Sequence, residues 1–323
     1  MKYLGKTILL AAMAWGATAH AVFAPGEKVI VLNSGDGSIS IVDPVTRKEE
    51  KRVPVGKEPH HLMATPDNKE LIVANAASND LVFLDPKTGD ILRRVADISD
   101  PYQIGYSPDR KWFVSASNRL DRVDIYHGAT LKLARRLPTG KVPSHIAFSA
   151  DSKLAFVTLQ ESSEFIAIDL EKQEIAWKMA TGKQPAGIWM TPDDRHLLIG
   201  ITGESHLEIY DWRARKLVKR IMTGLGAHNF VAKGDGRHVY LSNRMANTIS
   251  LVDQQTLEVK ETFPVPGGPD CMEITKDGRQ LWTTSRWIRM VTVVDLETKK
   301  VLHQIPVGKS PHGLYFQSHA PRR

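Results

Sequence analysis

The sequence predicts an all-β fold: a seven-bladed β-propeller with four-stranded antiparallel blades, closed by pairing of its N- and C-terminal strands. Three observations predict it. A period of 42 residues runs without insertion along the chain, each period carries the pattern of four short strands, and one period is divided between the two ends.

The period is marked by residues that make turns. Asp67, Asp109, Asp151, Asp193, Asp235 and Asp277 recur at this spacing, and so do Asp43, Asp85, Asp169, Asp211, Asp253 and Asp295, with His127 in the remaining place of the second series. Prolines recur at Pro59, Pro101, Pro143, Pro185, Pro269 and Pro311, with Ala227 in the seventh position. Apolar Leu62, Ile104, Ile146, Ile188, Phe230, Met272 and Leu314 form a further register.

Inside one period the apolar residues alternate. Residues 71–85 (LIVANAASNDLVFLD) set two apolar runs around a polar loop, the signature of a hairpin. Residues 59–65 (PHHLMAT) precede it as a strand ended by the Pro66-Asp67-Asn68 turn, and residues 90–95 follow as a fourth strand. No segment carries a sustained helical stripe.

Six full periods occupy 56–307. The seventh is assembled from 308–316 (GKSPHGLYF), its innermost strand, and 29–55, its outer three. Joining the two ends removes the exposed strand edges of an open array.

The domain plan follows. Residues 1–21 are expected to be a signal peptide: Lys2 and Lys6 precede an apolar run from Ile8 to Ala19, and Ala19-His20-Ala21 supplies a small-x-small cleavage site. That run falls short of the roughly 20 residues of a bilayer-spanning helix. Residues 22–317 form the single propeller domain and 318–323 a short basic tail. The mature chain is expected to be periplasmic, without a transmembrane segment, and monomeric.

Composition narrows the function. Cys271 is the one cysteine, so no internal disulfide forms and stability rests on burial. The formal charge of +7 favours an anionic ligand or surface, but the charges are scattered with no run of five or more, which argues against nucleic-acid binding.

Residues 29–43 (VIVLNSGDGSISIVD) and 239–253 (VYLSNRMANTISLVD), with the G-x-x-P and S/T-P-D elements that recur along the chain, resemble the YVTN-repeat, WD40/YVTN-like propellers of the periplasm and cell surface. The resemblance spans the mature chain and implies the fold; it says little about activity, because the repeat residues build turns and blade packing. In outline the chain is also similar to the propellers of haem-d1-type nitrite reductases. That resemblance implies a propeller face able to hold a carboxylate-rich macrocycle, with histidine as a possible axial ligand. No C-x-x-C-H occurs, so a complete reductase with its own haem c is excluded.

Function is sought where the repeats differ. The residue after each repeat proline opens an innermost strand at one mouth of the channel and reads His60, Tyr102, Ser144, Ala186, His228, Asp270 and His312. Ring closure makes His228, Asp270, His312 and His60 neighbours, a donor set suited to copper, zinc or iron. The next residues read His61, Gln103, His145, Gly187, Asn229, Cys271 and Gly313, and strand alternation is expected to turn them to the other side of the strand. Taken singly, a histidine after a turn proline is explained by a structural role; it is the group in one register on adjacent blades that points to a metal. Loops on the same face carry Arg119, Arg122, Arg244, Arg286, Trp287 and Arg289; Arg244, Arg286, Trp287 and Arg289 are candidates to hold a flat anionic ligand or a haem-type macrocycle.

The first reading is a non-catalytic scaffold that binds a protein or small anionic ligand at the channel face, since neither G-x-S-x-G nor H-E-x-x-H occurs. The second is a metal- or haem-binding propeller for cofactor carriage, maturation or metal-dependent oxidoreduction. The third is a lactonase-like hydrolase, disfavoured because the rim is rich in histidine rather than in the oxygen donors of calcium-like ions.

Overall fold

A computed structural model describes residues 22–322, so the expected signal peptide lies outside the described residues. Seven four-stranded antiparallel sheets make up the molecule. Blades one to six cover 59–96, 101–138, 143–180, 185–222, 227–264 and 269–306. The seventh joins Pro311–Tyr315 to Val29–Asn33, Ser38–Asp43 and Lys48–Pro54. Each innermost strand packs on the next, and the seventh packs on the first, which closes the ring. The fold predicted from the repeat is the fold observed. Among the described residues the one helical element is the 3₁₀ turn Asn118–Leu120, and no helix is long and apolar enough to cross a membrane.

The repeat residues earn their spacing through hydrogen bonds. At one end of the blades Thr65, Ser107, Ser149, Thr191 and Thr275 each donate a hydroxyl to the aspartate two residues on, within 2.8 Å. The second aspartate series accepts backbone N–H groups, as Asp43 Oδ1 does from Val45 at 2.8 Å and Thr46 at 2.7 Å. Four residues after Asp43 and Asp211, Arg47 and Arg215 sit at φ of 58° and 51°, closing loops of the bulged hairpin type.

Second and third strands are buried along nearly their whole length, whereas the outermost strands, such as Glu174–Ala180, face solvent. The core is a series of apolar layers between blades; Val114, Val123 and Ile125 of blade two, for example, pack with Val157 and Ile166 of blade three. Ring closure is pinned by a buried amide. Asn33 Oδ1 accepts the Gly308 N–H at 2.9 Å while its Nδ2 donates to Ser40 at 2.9 Å.

The segment 318–322 is docked rather than free. Ala320 N–H donates to the Ile274 carbonyl at 2.7 Å, Lys276 N–H donates to the Ser318 carbonyl at 3.0 Å, and Arg322 pairs with Glu273. These contacts lie at the end of blade six opposite the repeat prolines.

Candidate functional site

Innermost strands begin at the repeat proline, and antiparallel pairing sets that proline beside the end of the second strand, as in Pro269 with Ser285. The loops between second and third strands therefore open on the same face, as the sequence implied. We call it the upper face.

Each innermost strand starts with a register shift. Three steps from Pro269 to Met272 match two from Ser285 to Thr283, and the same irregularity appears at Pro59, Pro101, Pro143, Pro185 and Ala227. A bulge of this kind cancels the alternation of side chains. The expectation that the two rings of residues would point to opposite sides is thereby corrected: His60 and His61, Tyr102 and Gln103, His312 and Gly313 line the same channel cavity of about 140 Å³.

The first ring forms a roof under the upper mouth rather than an open rim. His60, Ser144, Ala186, His228, Asp270 and His312 are all buried. The His60 ring is sandwiched, with centroids 3.7 Å from Tyr102 and 3.9 Å from His312, and its Nδ1 lies 2.9 Å from the Tyr102 carbonyl. Blade four contributes only Ala186 and Gly187. A Cβ on Gly187 would stand 1.6 Å from the His228 carbonyl oxygen, so only glycine permits this approach, and His145 meets His228 edge-on at 5.0 Å between centroids.

Asp270 is the hub. Its Oδ2 lies 3.2 Å from Arg244 Nη1 and 3.3 Å from Arg286 Nη1, and its Oδ1 accepts from Asn229 Nδ2 at 2.9 Å. His228 Nδ1 stands 3.1 Å from Oδ1 and His312 Nε2 3.7 Å from Oδ2, yet neither nitrogen has an aligned hydrogen-bond partner. Burial acts to raise the Asp270 carboxyl, but the surrounding histidines and Arg244 overcome it and hold the group well below its ordinary range. With two guanidinium groups in contact it is an anion. Burial and the Arg244 charge lower His228, and burial takes His312 down to about 3.

Two cations facing one anion leave this part of the mouth positive. Around it stand exposed apolar residues of the upper loops of blades five and six: Leu225, Met245, Trp287 and Ile288. Trp287 is half exposed and its indole covers Gly268. Arg289 is exposed, without an acidic partner among the described residues. By contrast Arg119 is spent on Glu58 and Asp100, and Arg122 on Asp124.

Of the four residues proposed above as metal ligands, Asp270 and His312 share a tight donor group, and the third member is Cys271. His60 and His228 stand outside it, His60 because its ring is committed to the stack. Cys271 and Asn229 belong to the second ring, which the sequence ranks below the first as a source of partners for the imidazoles; Asn229 Nδ2 reaches Cys271 Sγ at 3.3 Å. The signal that pointed to them was their own ring of residues, set aside on an alternation that the bulge removes.

A family model described as YNCE-like beta-propeller matches residues 4–322. No curated protein matches the chain. Among solved structures the chain is similar to a functionally unknown protein from Desulfotomaculum acetoxidans, at 15% identity and a TM-score of 0.77 over 91% of this chain and 100% of that one. It is similar to the Kuenenia stuttgartiensis hydrazine synthase, at 18% identity and a TM-score of 0.67 over 78% of this chain and 87% of that one. It is also similar to dihydro-heme d1 dehydrogenase NirN in complex with DHE, at 17% identity and a TM-score of 0.65 over 91% of this chain and 75% of that one. At such identities the likeness speaks for the fold alone.

Proposed function

This chain belongs to the YNCE-like β-propeller family, and from that premise we propose that it is a non-catalytic periplasmic scaffold whose upper face over blades five and six binds a flat apolar ligand bearing an anionic group. The observation that carries this reading is the convergence of Arg244 and Arg286 on the single carboxylate of Asp270, beside exposed Met245, Trp287 and Ile288. One positive charge is left over after the pairing. The apolar loop residues offer an aromatic body a surface, and the guanidinium edges offer its carboxylates a partner.

A haem-type macrocycle is one member of that ligand class, and the bound state named for NirN makes it a sensible probe. Axial ligation by the first-ring histidines receives no support, since His60, His228 and His312 are buried beneath the mouth. Binding through the rim alone fits better.

Mesoporphyrin IX, a flat ring with two carboxylates, tests the proposal when titrated against the full chain and followed by Trp fluorescence and porphyrin absorption. Saturable quenching that weakens about tenfold in Arg286→Gln, the order of one charge-assisted hydrogen bond, and disappears with Trp287→Ala is the expected result. Binding that ignores both substitutions would overturn it.

A further inference from the structure

The channel beneath the roof holds a second chemistry. Cys271 Sγ lies 3.7 Å from His312 Nδ1, and one donor atom each from Asp270, Cys271 and His312 fall within 4.8 Å of one another. Among the described residues no other three such donors come together so closely. Cys271 borders the cavity, whose wall also carries His61 and His145. On its far side His312 presents Nε2, buried and without a hydrogen-bond partner, toward the Asp270 carboxylate at 3.7 Å.

This is the arrangement of a metal-binding imidazole. One ring nitrogen faces a sulfur donor while the other is turned toward a carboxylate 3.7 Å away, near the place a carboxylate takes in sites where it orients a ligating histidine. A sulfur bond of about 2.3 Å and a nitrogen bond of about 2.0 Å that meet at roughly 115° span the observed separation.

We propose that Cys271 and His312 bind a single copper(I) ion inside the channel, with Asp270 orienting His312 from behind. Charge and softness select the ion. Thiolate and imidazole are the donors that copper(I) and zinc share. Binding replaces the thiol proton, so the Cys271 S–H bond breaks, a sulfur–copper bond forms and the proton leaves to water. Entry of a monocation in exchange for a proton leaves the charge beside Arg244 and Arg286 unchanged. A dication would add one positive charge next to two guanidinium groups, at low dielectric, where repulsion is costly. The copper site shares Asp270 with the rim, but copper binding by Cys271 and His312 does not require a rim ligand.

Anaerobic titration of the full chain with copper(I) against bicinchoninate is the test, accompanied by X-ray absorption of the one-equivalent complex. One copper(I) per chain, with sulfur and nitrogen scatterers in its first shell, is expected. Cys271→Ser and His312→Ala should each lower affinity by about 100-fold or more, with no change in His127→Ala, an exposed imidazole far from the channel. Retention of all copper by the competitor, a spectrum without sulfur, or tighter binding of zinc than of copper(I) would overturn the assignment. The wild-type spectrum decides the matter even if a variant fails to fold.

Discussion

His145 of blade three stands edge-on to His228 of blade five, their ring centroids 5.0 Å apart, because blade four opens with Ala186 and Gly187 and contributes no side chain large enough to keep them apart. The channel is therefore unevenly filled: crowded by imidazoles around blades seven and one, and narrowed by backbone at blade four. A methyl group at position 187 has no room. Gly187→Ala is expected to cost at least about 2 kcal/mol in urea unfolding, and a neutral result would mean that the close approach of the His228 carbonyl is misjudged.

The turn aspartates should behave as scaffold only. Asp193 accepts the Thr191 hydroxyl at 2.6 Å and Asp211 the Ala214 N–H at 2.9 Å, both at the blade ends away from the site or on the outer turns. Replacing either by alanine should cost about 1 kcal/mol and leave mesoporphyrin binding unchanged. Weakened binding with unchanged stability would reverse the division drawn between scaffold and site.

Ring closure by strand pairing is reinforced by one buried amide. Asn33→Ala would strip the buried Gly308 N–H of its acceptor and leave Ser40 without its donor, for an expected loss of about 2 kcal/mol. Denaturant midpoints of this variant and of the wild type, measured at equal m-value, check it. Equal midpoints would mean that strand pairing alone holds the termini.

Acid should unfold the metal-free chain earlier than its carboxylates would suggest. Burial, with Arg322 nearby, lowers His61 to about 4, and burial together with neighbouring imidazoles holds His145 well below its ordinary value. The folded state thus binds fewer protons than the unfolded one below pH 6.5, and stability falls as pH drops from there toward the folded values, by up to about 1.4 kcal/mol per pH unit for each imidazole. Turn carboxylates act later: Asp43, held down to about 2 by the Thr46 N–H above all, loses its contribution only below about pH 4. Unfolding free energies at pH 7, 6 and 5 should decline, less steeply in His61→Gln. A flat profile across this range would show that these imidazoles are hydrated in the folded state.

The repeat was legible because the residues that set its period make obligatory turn hydrogen bonds, which tolerate few substitutes and so stand out in the chain. The convergence of His228, Asp270 and His312 followed from counting blades, and Arg244 and Arg286 from the face on which their loops must open. Cys271 was hidden by the bulge after each proline, a backbone irregularity with no residue type of its own. The commitment of His60 to Tyr102 and His312 was equally hidden, since a stack depends on side-chain rotamers across three blades. Sequence spacing tells which residues meet, and not which of their atoms are already in use.

Amide hydrogen exchange with and without mesoporphyrin IX tests the central claim most directly. Protection is predicted for the upper loops at 225–226, 244–247 and 286–289, with exchange elsewhere unchanged. Protection confined to the opposite face, at the turns around Asp67, Asp109 and Asp277, would contradict the assignment of the binding surface.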